Sequence, residues 1–307
     1  MTNKLAVALV VAMTSLPGTA LGAEMGFSIY PLGSTAFSAG VTPPPGFYVT
    51  PAVGYYSGKI SGNVPIGGRL AVDLDVKFFS PALNILYVSP VEILGGYFGV
   101  STNVPIGHVG LDAQAFVGPF SASRSVSGWG MGDMSMKTQL GWTSGSFSHT
   151  VYVMGWLPTG RYQTGFNPNI GLNRPAVDVG WGFTWLETNT QLEFSSNFGM
   201  TFNAINTATD YKTGNEFHAE WAIGKKFTPE LTIGAVGYVY QQVTGDSGSG
   251  AVLGSFKGQS FGVGPGISYV TMLGGHVAIF NARYYHEFDV QRRFQGSMSF
   301  LTATVRF

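Results

Sequence analysis

The sequence contains no cysteine, few charged residues and no long apolar run beyond its N-terminus. Without cysteine, the chain cannot form disulfides, thiolate metal sites or a cysteine nucleophile. Charged residues occupy only 10% of 307 positions, and 16 basic residues balance 16 acidic ones, so the basic face that nucleic-acid binding requires is missing. No later stretch reaches the roughly 18 apolar residues of a transmembrane helix. With 44 glycines, the composition favours one β-rich body.

The N-terminus has the pattern of a secretory signal peptide. Lys4 precedes the apolar run Leu5–Met13, and Pro17 leads into a stretch of small residues that ends at Ala23. The alternative, a membrane anchor, is disfavoured because the run is short and ends in Pro-Gly. We therefore predict a signal peptide over 1–23, and an exported protein of the periplasm, the medium or the outer membrane.

Residues 176–203 contain two alternating runs that predict a β-hairpin. Successive side chains of a strand face opposite sides, so each run has an apolar and a polar face. The apolar faces carry Val177, Val179, Trp181, Phe183, Trp185, Leu192, Phe194, Phe198, Met200 and Phe202. Each run has the length of about 9–11 residues that a strand needs to cross a bilayer. The pattern favours lipid outside and a wet lumen inside, although a soluble β-sandwich is the alternative for one hairpin.

Similar runs continue to the last residue and predict an all-β fold over 47–307. The fold class is a transmembrane antiparallel up-and-down β-barrel of 12–14 strands. Fourteen is preferred because bacterial barrels have even strand numbers and Pro81 is expected to divide one run. The connections alternate between short ones, such as Thr228–Glu230, and long ones, such as Ser121–Gly132 and Pro158–Pro175. Short periplasmic turns and long outer loops are typical of such barrels, and the parity places the C-terminus at the short-turn end.

Residues 24–46 are rich in glycine and proline and cannot continue a sheet. Pro43, Pro44 and Pro45 each lack a backbone donor. The segment is interpreted either as a periplasmic tail or as a partial plug of the lumen, since its apolar side chains suit a constriction. These side chains are Phe27, Ile29, Tyr30, Leu32 and Phe37.

A series of short motifs resembles one bacterial protein family over nearly all of the mature chain. The motifs are PPPGFY (Pro43–Tyr48), YVSPVEILGGYFG (Tyr87–Gly99), GMGDM (Gly130–Met134), LPTGRYQ (Leu157–Gln163), NIGLNR (Asn169–Arg174), TDYKTGNEFHAEWAIG (Thr209–Gly224), GYVYQQVTGDSGSG (Gly237–Gly250) and GVGPGISY (Gly262–Tyr269). Their order is similar to that of the MetA-pathway phenol degradation family, also called SphA-like. The resemblance implies an outer-membrane barrel of Gram-negative bacteria and aromatic-compound uptake as its expected function.

Charged residues on the polar faces are expected to line the lumen, because Lys or Arg on the lipid face near the midplane costs about 2–4 kcal/mol. They can hold water and steer a solute, or neutralise one another across the lumen. The predicted lining residues are Asp73, Asp75, Lys77, Lys137, Asp178, Glu193, Glu216, His218, Glu220, Arg283, Glu287 and Arg306.

The sequence gives little support for a metal or a catalytic site. Glu216, His218 and Glu220 contain ligand groups, but side chains two apart on a strand do not converge readily on one metal. Ser148-His149, and Ser268 with His276, supply only fragments of a nucleophilic site. We predict no cofactor, no metal and no enzymatic activity.

The outer loops are the candidate recognition surface, because loops on a rigid scaffold often bind ligands. The candidates are Arg161, Tyr162, Asn173, Arg174 and Asp246. Ordinary loop chemistry explains the same composition, and Arg161 and Arg174 could instead hold lipopolysaccharide or close a salt-bridged lid.

Together these patterns predict a passive outer-membrane channel for small hydrophobic or aromatic compounds. The expected partners are outer-membrane lipid, lipopolysaccharide, the barrel assembly machinery and the solute, with no nucleic acid. The alternative function is a structural or surface-interaction barrel with a closed lumen.

Overall fold

The computed structural model describes residues 23–64, 70–117, 120–164, 168–252 and 254–307. The predicted signal peptide lies outside these ranges except for Ala23. None of the helices in these ranges is long and apolar enough to cross a membrane. A short 3₁₀ turn spans Glu24–Gly26. Thirteen strands follow in the described residues: β1 Gly46–Val64, β2 Leu70–Ile93, β3 Gly96–Val117, β4 Phe120–Met131, β5 Met134–Ser144, β6 Phe147–Leu157, β7 Ala176–Glu187, β8 Leu192–Asn203, β9 Glu216–Lys226, β10 Leu231–Gln242, β11 Gln259–Leu273, β12 His276–Gln291 and β13 Gln295–Arg306.

The strands form one closed antiparallel sheet. Each strand pairs with its neighbour in sequence, except that β4 and β5 both pair with β3, and β1 pairs with β13 to complete the barrel. Strands β4 and β5 share one position, because β4 pairs with the upper half of β3 and β5 with the lower half. The described chain therefore forms a barrel with twelve positions, which matches the lower end of the predicted range rather than the preferred fourteen.

The preference for fourteen strands was wrong because Pro81 does not divide its run. Strand β2 continues through Pro81, which pairs in register with Val53 of β1. On the other side, the β2–β3 ladder has no pair at Ser80 or Pro81, between the pairs at Phe79 and Ala82. Proline has no N–H to donate. At Pro81 the β2–β3 ladder is interrupted, so no hydrogen bond is lost there and the strand continues.

The predicted outer loop Ser121–Gly132 is also a strand in the structure, because almost all of it belongs to β4. β4 extends the wall beyond the level at which β5 begins, together with the upper parts of β1, β2 and β3. We call this four-stranded part of the wall the upper extension. The alternation of serine with larger residues in this stretch is compatible with a loop or with a strand. Pairing with β3 makes it a strand.

The predicted hairpin 176–203 is confirmed, with its polar residues facing inward. Trp181 pairs with Phe198, and their rings stack 6.1 Å apart on the outer face. Asp178 and Asn197 are buried on the inner face. Exposed Val, Ile, Leu and aromatic side chains continue this outer face around the other strands. An apolar belt around a barrel with a polar interior is the arrangement that lipid requires.

Aromatic side chains mark both edges of the apolar belt. Near the long-loop end, Tyr55, Phe79, Trp129 and Tyr284 are exposed. The first three belong to one row of paired residues, in which Phe79 and Trp129 meet edge to face at 6.0 Å. Phe47, Tyr87, Phe147, Trp185 and Phe307 lie near the short-turn end. Such girdles sit at the two membrane–water interfaces, with the short turns on the periplasmic side.

Candidate functional site: the lumen

The inner faces of β7 to β12 carry most of the acidic side chains in the lumen. Alternate positions on these strands face inward, which is why the sequence pattern predicted them as lining residues. The structure places Asp178, Glu193, Glu216, His218, Glu220 and Glu287 there, and all six are almost fully buried. Hydroxyl and amide groups supply much of their hydrogen bonding. For example, Tyr238 donates to Glu287 at 2.5 Å and Tyr240 donates to Glu216 at 2.6 Å.

The centre of this polar wall is His218, which lies between two carboxylates. Its Nε2 is 3.0 Å from Asp178 Oδ2, and its Nδ1 is 3.5 Å from Glu220 Oε2. The ring of Tyr30 stacks on the imidazole with a centroid distance of 3.5 Å. Gly199 makes room for the imidazole, since a Cβ there would lie 2.3 Å from Nε2. Among the described residues, no group of three or more His, Asp and Glu side chains is placed to hold a metal.

Residues 23–45, here called the N-terminal segment, lie along this polar wall inside the barrel. At the loop end, Glu24 accepts hydrogen bonds from Asn206 and Thr209. Further along, Tyr30 donates to Glu220 at 3.1 Å, and the backbone N–H of Ser38 donates to Glu193 at 2.6 Å. Near the short-turn end, Thr42 contacts Thr150 and Gln139 at 2.9 and 3.0 Å. The segment therefore passes from the outer loops to the periplasmic end, where β1 begins.

Glycine allows the N-terminal segment to approach the wall closely. A Cβ on Gly40 would lie 2.3 Å from the backbone of Phe183, and one on Gly182 would lie 2.6 Å from the carbonyl oxygen of Ala39. Nearby, the ring of Phe37 covers Gly224, where an added Cβ would lie 2.6 Å from the ring. The close contact requires glycine both on the segment, at Gly40, and on the wall, at Gly182 and Gly224. The segment therefore fits this wall in one position.

The opposite wall is left uncovered, and a cavity of about 660 Å³ lies between it and the N-terminal segment. On β2 the cavity follows the inward positions Leu86, Asn84, Ala82, Ser80 and Phe78 in turn. β1, β3, β5 and β13 add mostly small or hydroxyl side chains, and β6 and β12 also contribute to the lining. The loop end is more apolar, with Phe27, Val109, Met154, Trp156, Ile170 and Leu172. The volume falls in the range of about 300–1,000 Å³ of small-molecule sites.

Two of the predicted lining residues, Lys137 and Arg283, face this cavity. Lys137 lies over the ring of Tyr152, with Nζ 5.4 Å from the ring centre. Arg283 donates from Nη1 to the carbonyl oxygen of Ser34 at 2.6 Å and lies over the ring of Phe300. Arg306 lies at the short-turn end and donates to the carbonyl oxygen of Pro45 at 3.0 Å.

Three predicted lining residues are not in the lumen, and that prediction was wrong. Asp73, Asp75 and Lys77 lie on the outer face of β2, because the alternate residues Leu74 and Val76 pack inward near Phe27. The prediction assumed that every outward position meets lipid. These three lie in the upper extension, beyond Phe79 of the outer aromatic girdle, where an outward charge stays in water at no desolvation cost.

The predicted loop residues divide into buried and exposed groups. Arg174 is fully buried and donates from Nη2 to the carbonyl oxygen of Phe27 at 3.1 Å, so it holds the N-terminal segment and is not available to lipopolysaccharide. Arg161 is exposed and donates to the carbonyl oxygen of Trp129 at 2.6 Å. Neither forms the salt bridge that the predicted lid required within the described residues.

The remaining loop candidates connect the loops to each other. Asn206 lies between them, since Asn173 donates to its side-chain oxygen at 2.7 Å and its own amide contacts the Tyr162 hydroxyl at 3.0 Å. Asp246 is buried and accepts hydrogen bonds from Tyr211 at 2.6 Å and from the backbone of Gly214. These contacts join the β6–β7, β8–β9 and β10–β11 connections into one body over the barrel mouth.

Burial raises the pKa of Glu24 above its usual value, although hydrogen bonds from Asn206 and Thr209 oppose the shift. In the same loop cluster, burial and the neighbouring Asp246 carboxylate raise the pKa of Tyr211, which therefore remains a hydrogen-bond donor. At the loop end of the N-terminal segment, half-buried Glu24 is bonded to buried Asn206 and half-buried Thr209.

Sequence reasoning missed Asp133, which organises the longest loop. It lies at the short break between β4 and β5, and its two carboxylate oxygens accept the backbone N–H groups of Gly160 at 2.9 Å and Leu172 at 2.7 Å. The signal was present in the GMGDM motif, because a lone aspartate that follows glycine at a strand break suits a side chain that bonds backbone donors.

The catalytic fragments are not assembled. Ser148 faces inward and contacts Thr143, whereas His149 faces outward and stacks on Trp142. His276 contacts the carbonyl oxygen of Arg306 near the short-turn end, while Ser268 pairs in register with Asn281.

The closed sheet, its apolar belt and its two girdles define an outer-membrane β-barrel. Residues 61–302 match the family described as "Putative MetA-pathway of phenol degradation", and the chain belongs to that family.

Among solved structures, an outer membrane channel from Pseudomonas putida F1 shares this fold, and two further similarities are weaker. The chain is similar to that channel with a TM-score of 0.69 and 11% identity over 88% of this chain and 98% of the channel. A FadL homologue from Pseudomonas aeruginosa has a TM-score of 0.45 and 11% identity over 85% and 90% of the two chains. The translocator domain of the autotransporter NalP from Neisseria meningitidis has a TM-score of 0.41 and 10% identity over 86% and 90%. Comparison with curated proteins gives no match.

Proposed function

We propose that this protein is a passive outer-membrane channel for small hydrophobic or aromatic compounds. The observation that carries the proposal is the cavity beside the N-terminal segment. Its lining extends from Thr304 and Leu86, near the periplasmic end, to Ile170 in the longest outer loop. A cavity that follows the barrel wall over this length suits a solute path.

The N-terminal segment is the constriction of this proposed path. It occupies the polar half of the lumen and adds Phe27, Ile29 and Tyr30 to the lining of the other half. An apolar surface at a narrow point favours apolar solutes, because their transfer out of water costs little free energy. Under this proposal residues 1–23 are removed as a signal peptide, 24–46 form the plug-like segment and 47–307 form the barrel.

The proposed solute class follows from the apolar groups near the loop end. Phe78, Trp156 and Ile170 form part of an apolar surface there. The family description, which names phenol degradation, supports an aromatic solute, and the likeness to an outer membrane channel supports only the barrel fold. The apolar belt would contact outer-membrane lipid and lipopolysaccharide, and the barrel assembly machinery would insert the chain. We assign no cofactor and no catalytic step.

The second candidate is a structural or surface-interaction barrel with a closed lumen. It is favoured by one observation, which is that hydrogen bonds and close glycine contacts attach the N-terminal segment along the whole wall. In this case the cavity would be closed at its ends and the outer loops would be the functional surface.

Single-channel recording in planar bilayers distinguishes the two candidates. The wild-type protein should give discrete openings that benzyl alcohol blocks, and should admit the membrane-impermeant solute phenyl glucoside to liposomes. Ala82 lines the cavity, whereas its neighbour Leu83 faces outward. Ala82→Trp should therefore reduce the current, and Leu83→Trp should leave it unchanged. A correctly folded protein that gives no current and admits no solute would support the closed barrel.

A further inference from the structure

The charges in the lumen are sorted between its two halves. Acidic side chains concentrate on the wall that the N-terminal segment covers, and their oxygens accept hydrogen bonds from the segment or from neighbouring hydroxyl and amide groups. The uncovered half contains three charged residues among its described lining, namely Asp133, Lys137 and Arg283.

Asp133 does not offer its charge to a solute in the cavity. Both of its oxygens accept backbone N–H groups of the longest loop, at 2.9 and 2.7 Å. Its position between β4 and β5 also places it at the loop end of the cavity. The charge that a solute meets inside the barrel is therefore that of the two cations.

Neither cation is neutralised by an ion pair. Among the described residues, no carboxylate lies within 4.0 Å of Lys137 or Arg283. Lys137 lies over the ring of Tyr152, with Nζ 5.4 Å from the ring centre. Glu220 attracts Arg283, but its carboxylate already accepts hydrogen bonds from Tyr30 and Asn197.

Arg283 also has an unused donor. Its side chain is nine-tenths buried, and its Nε has no hydrogen-bond partner in the described structure. A buried cation with an unmet donor is unfavourable, and because Nε itself is almost inaccessible, an anion in the cavity would act on the charge of the whole guanidinium. The two cations line the same cavity as the apolar groups of the loop end.

We infer that this passage selects aromatic solutes that carry a negative charge, such as single-ring carboxylates, sulfonates and phenolates, with Lys137 and Arg283 as the groups that attract the anion. This inference rests on the proposed channel function and narrows its solute class. The ring of the solute would contact the apolar surface, and its anionic group would replace water at one cation or the other as the solute passes. A guanidinium suits this role because it presents donors in a plane that matches a carboxylate or sulfonate.

The test compares two single-ring ions that lipid bilayers do not admit, benzenesulfonate and benzyltrimethylammonium. Entry into liposomes would be measured for the wild type, for Lys137→Gln, for Arg283→Gln and for the double variant. The wild type should admit benzenesulfonate faster. Each single substitution should lower that flux by up to about tenfold, the effect of losing one charge-assisted hydrogen bond. In a potassium chloride gradient, the reversal potential should move from the anion-selective sign toward zero.

Two further variants control for folding and for general charge effects. Arg283→Lys retains the cation and should retain most of the anion preference even though the bond to Ser34 changes. Lys77→Gln removes a cation from the outer face of β2 and should leave both fluxes unchanged. Heat-dependent gel migration would verify that each barrel is folded.

The outcomes separate this inference from the function on which it rests. If the wild type admits phenyl glucoside but does not prefer benzenesulfonate, the anion inference is overturned and the channel stands. Unchanged preference in the folded double variant overturns the assignment of Lys137 and Arg283. If none of the three solutes enters and no current is seen, the channel itself is overturned, and the anion inference with it.

Discussion

Tyr30 joins the N-terminal segment to the wall at its most polar point. Its ring stacks on His218, its hydroxyl donates to Glu220 at 3.1 Å, and its edge meets Trp156 at 6.3 Å. One side chain thus satisfies a buried carboxylate and covers an imidazole that would otherwise face the cavity. The network is not complete, since Asp178 Oδ1 and His218 Nδ1 have no hydrogen-bond partner in the described structure.

Replacing Tyr30 with alanine should loosen the N-terminal segment. Removing a buried aromatic side chain costs about 3–5 kcal/mol, and here it also removes a donor from Glu220. We expect a larger mean current with more frequent transitions in planar bilayers. Tyr30→Phe retains the stacking and should fall between the alanine variant and the wild type. A wild-type current in a folded Tyr30→Ala protein would show that the segment is held by its other contacts.

Asp246 holds the outer loops together in the way that Tyr30 holds the N-terminal segment to the wall. Replacing it with alanine leaves the Tyr211 hydroxyl and the Gly214 N–H without their acceptor, at about 1–3 kcal/mol for each buried group. The β8–β9 and β10–β11 connections should then be cut by proteases much faster in intact cells. Asp289 is exposed and accepts a hydrogen bond from Gln259, so Asp289→Ala is the matched control and should remain resistant. Equal resistance of both variants would contradict this role for Asp246.

At the level of strands, the sequence predicted which side chains face outward wherever the strand crosses lipid, because lipid requires every outward side chain to be apolar. The hairpin of β7 and β8 is such a case, because any outward charge there would meet hydrocarbon. Asp75 and Lys77 were misplaced because β2 is twice the length that a bilayer requires, and its upper half obeys no such rule. Pro81 misled the strand count for a different reason, since the state of the neighbouring ladder cannot be read from one strand.

The candidate site was predictable only in part, for related reasons. Alternation indicated which charged residues of β7 to β12 point away from lipid, but it could not show which of them the N-terminal segment covers. That depends on close approach at Gly40 and Gly182, which no local pattern announces. Alternation could not place the contacts of Arg174 and Asp133 either, because their partners are groups distant in sequence.

The membrane-facing side of the hairpin gives a direct test of register. Phe198→Arg places a cation in the apolar belt at a cost of about 2–4 kcal/mol near the midplane, so assembly into the outer membrane should decrease. Ser125 is exposed on β4 in the upper extension, and Ser125→Arg should assemble normally. The amount of heat-modifiable barrel in outer-membrane fractions measures both. Normal assembly of Phe198→Arg would mean that this face does not contact lipid.

For the whole molecule, the division of the lumen between segment and cavity sets how much can pass. Deleting Gly26–Val41 should raise conductance and weaken the preference between solutes, because the cavity would then merge with the space that the segment occupies. A replacement of the same residues by a glycine–serine chain of equal length tests whether particular contacts matter. If its conductance matches that of the deletion, the contacts at Tyr30, Phe37 and Gly40 hold the segment in place. Wild-type conductance in both folded variants would leave selectivity to the wall and the outer loops.

The direction of the N-terminal segment has a consequence for how the barrel is made. Its first residues lie among the outer loops, yet β1 starts at the periplasmic end, so the chain runs the full height of the lumen before the wall begins. Pairing of β1 with β13 closes the wall around the N-terminal segment, which is covalently continuous with β1. A folded domain fused ahead of residue 23 could not be drawn through the finished lumen. An unfolded segment can still enter from the periplasmic end, whereas a chain with such a fusion reaches this arrangement only if the segment is in place before the seam closes.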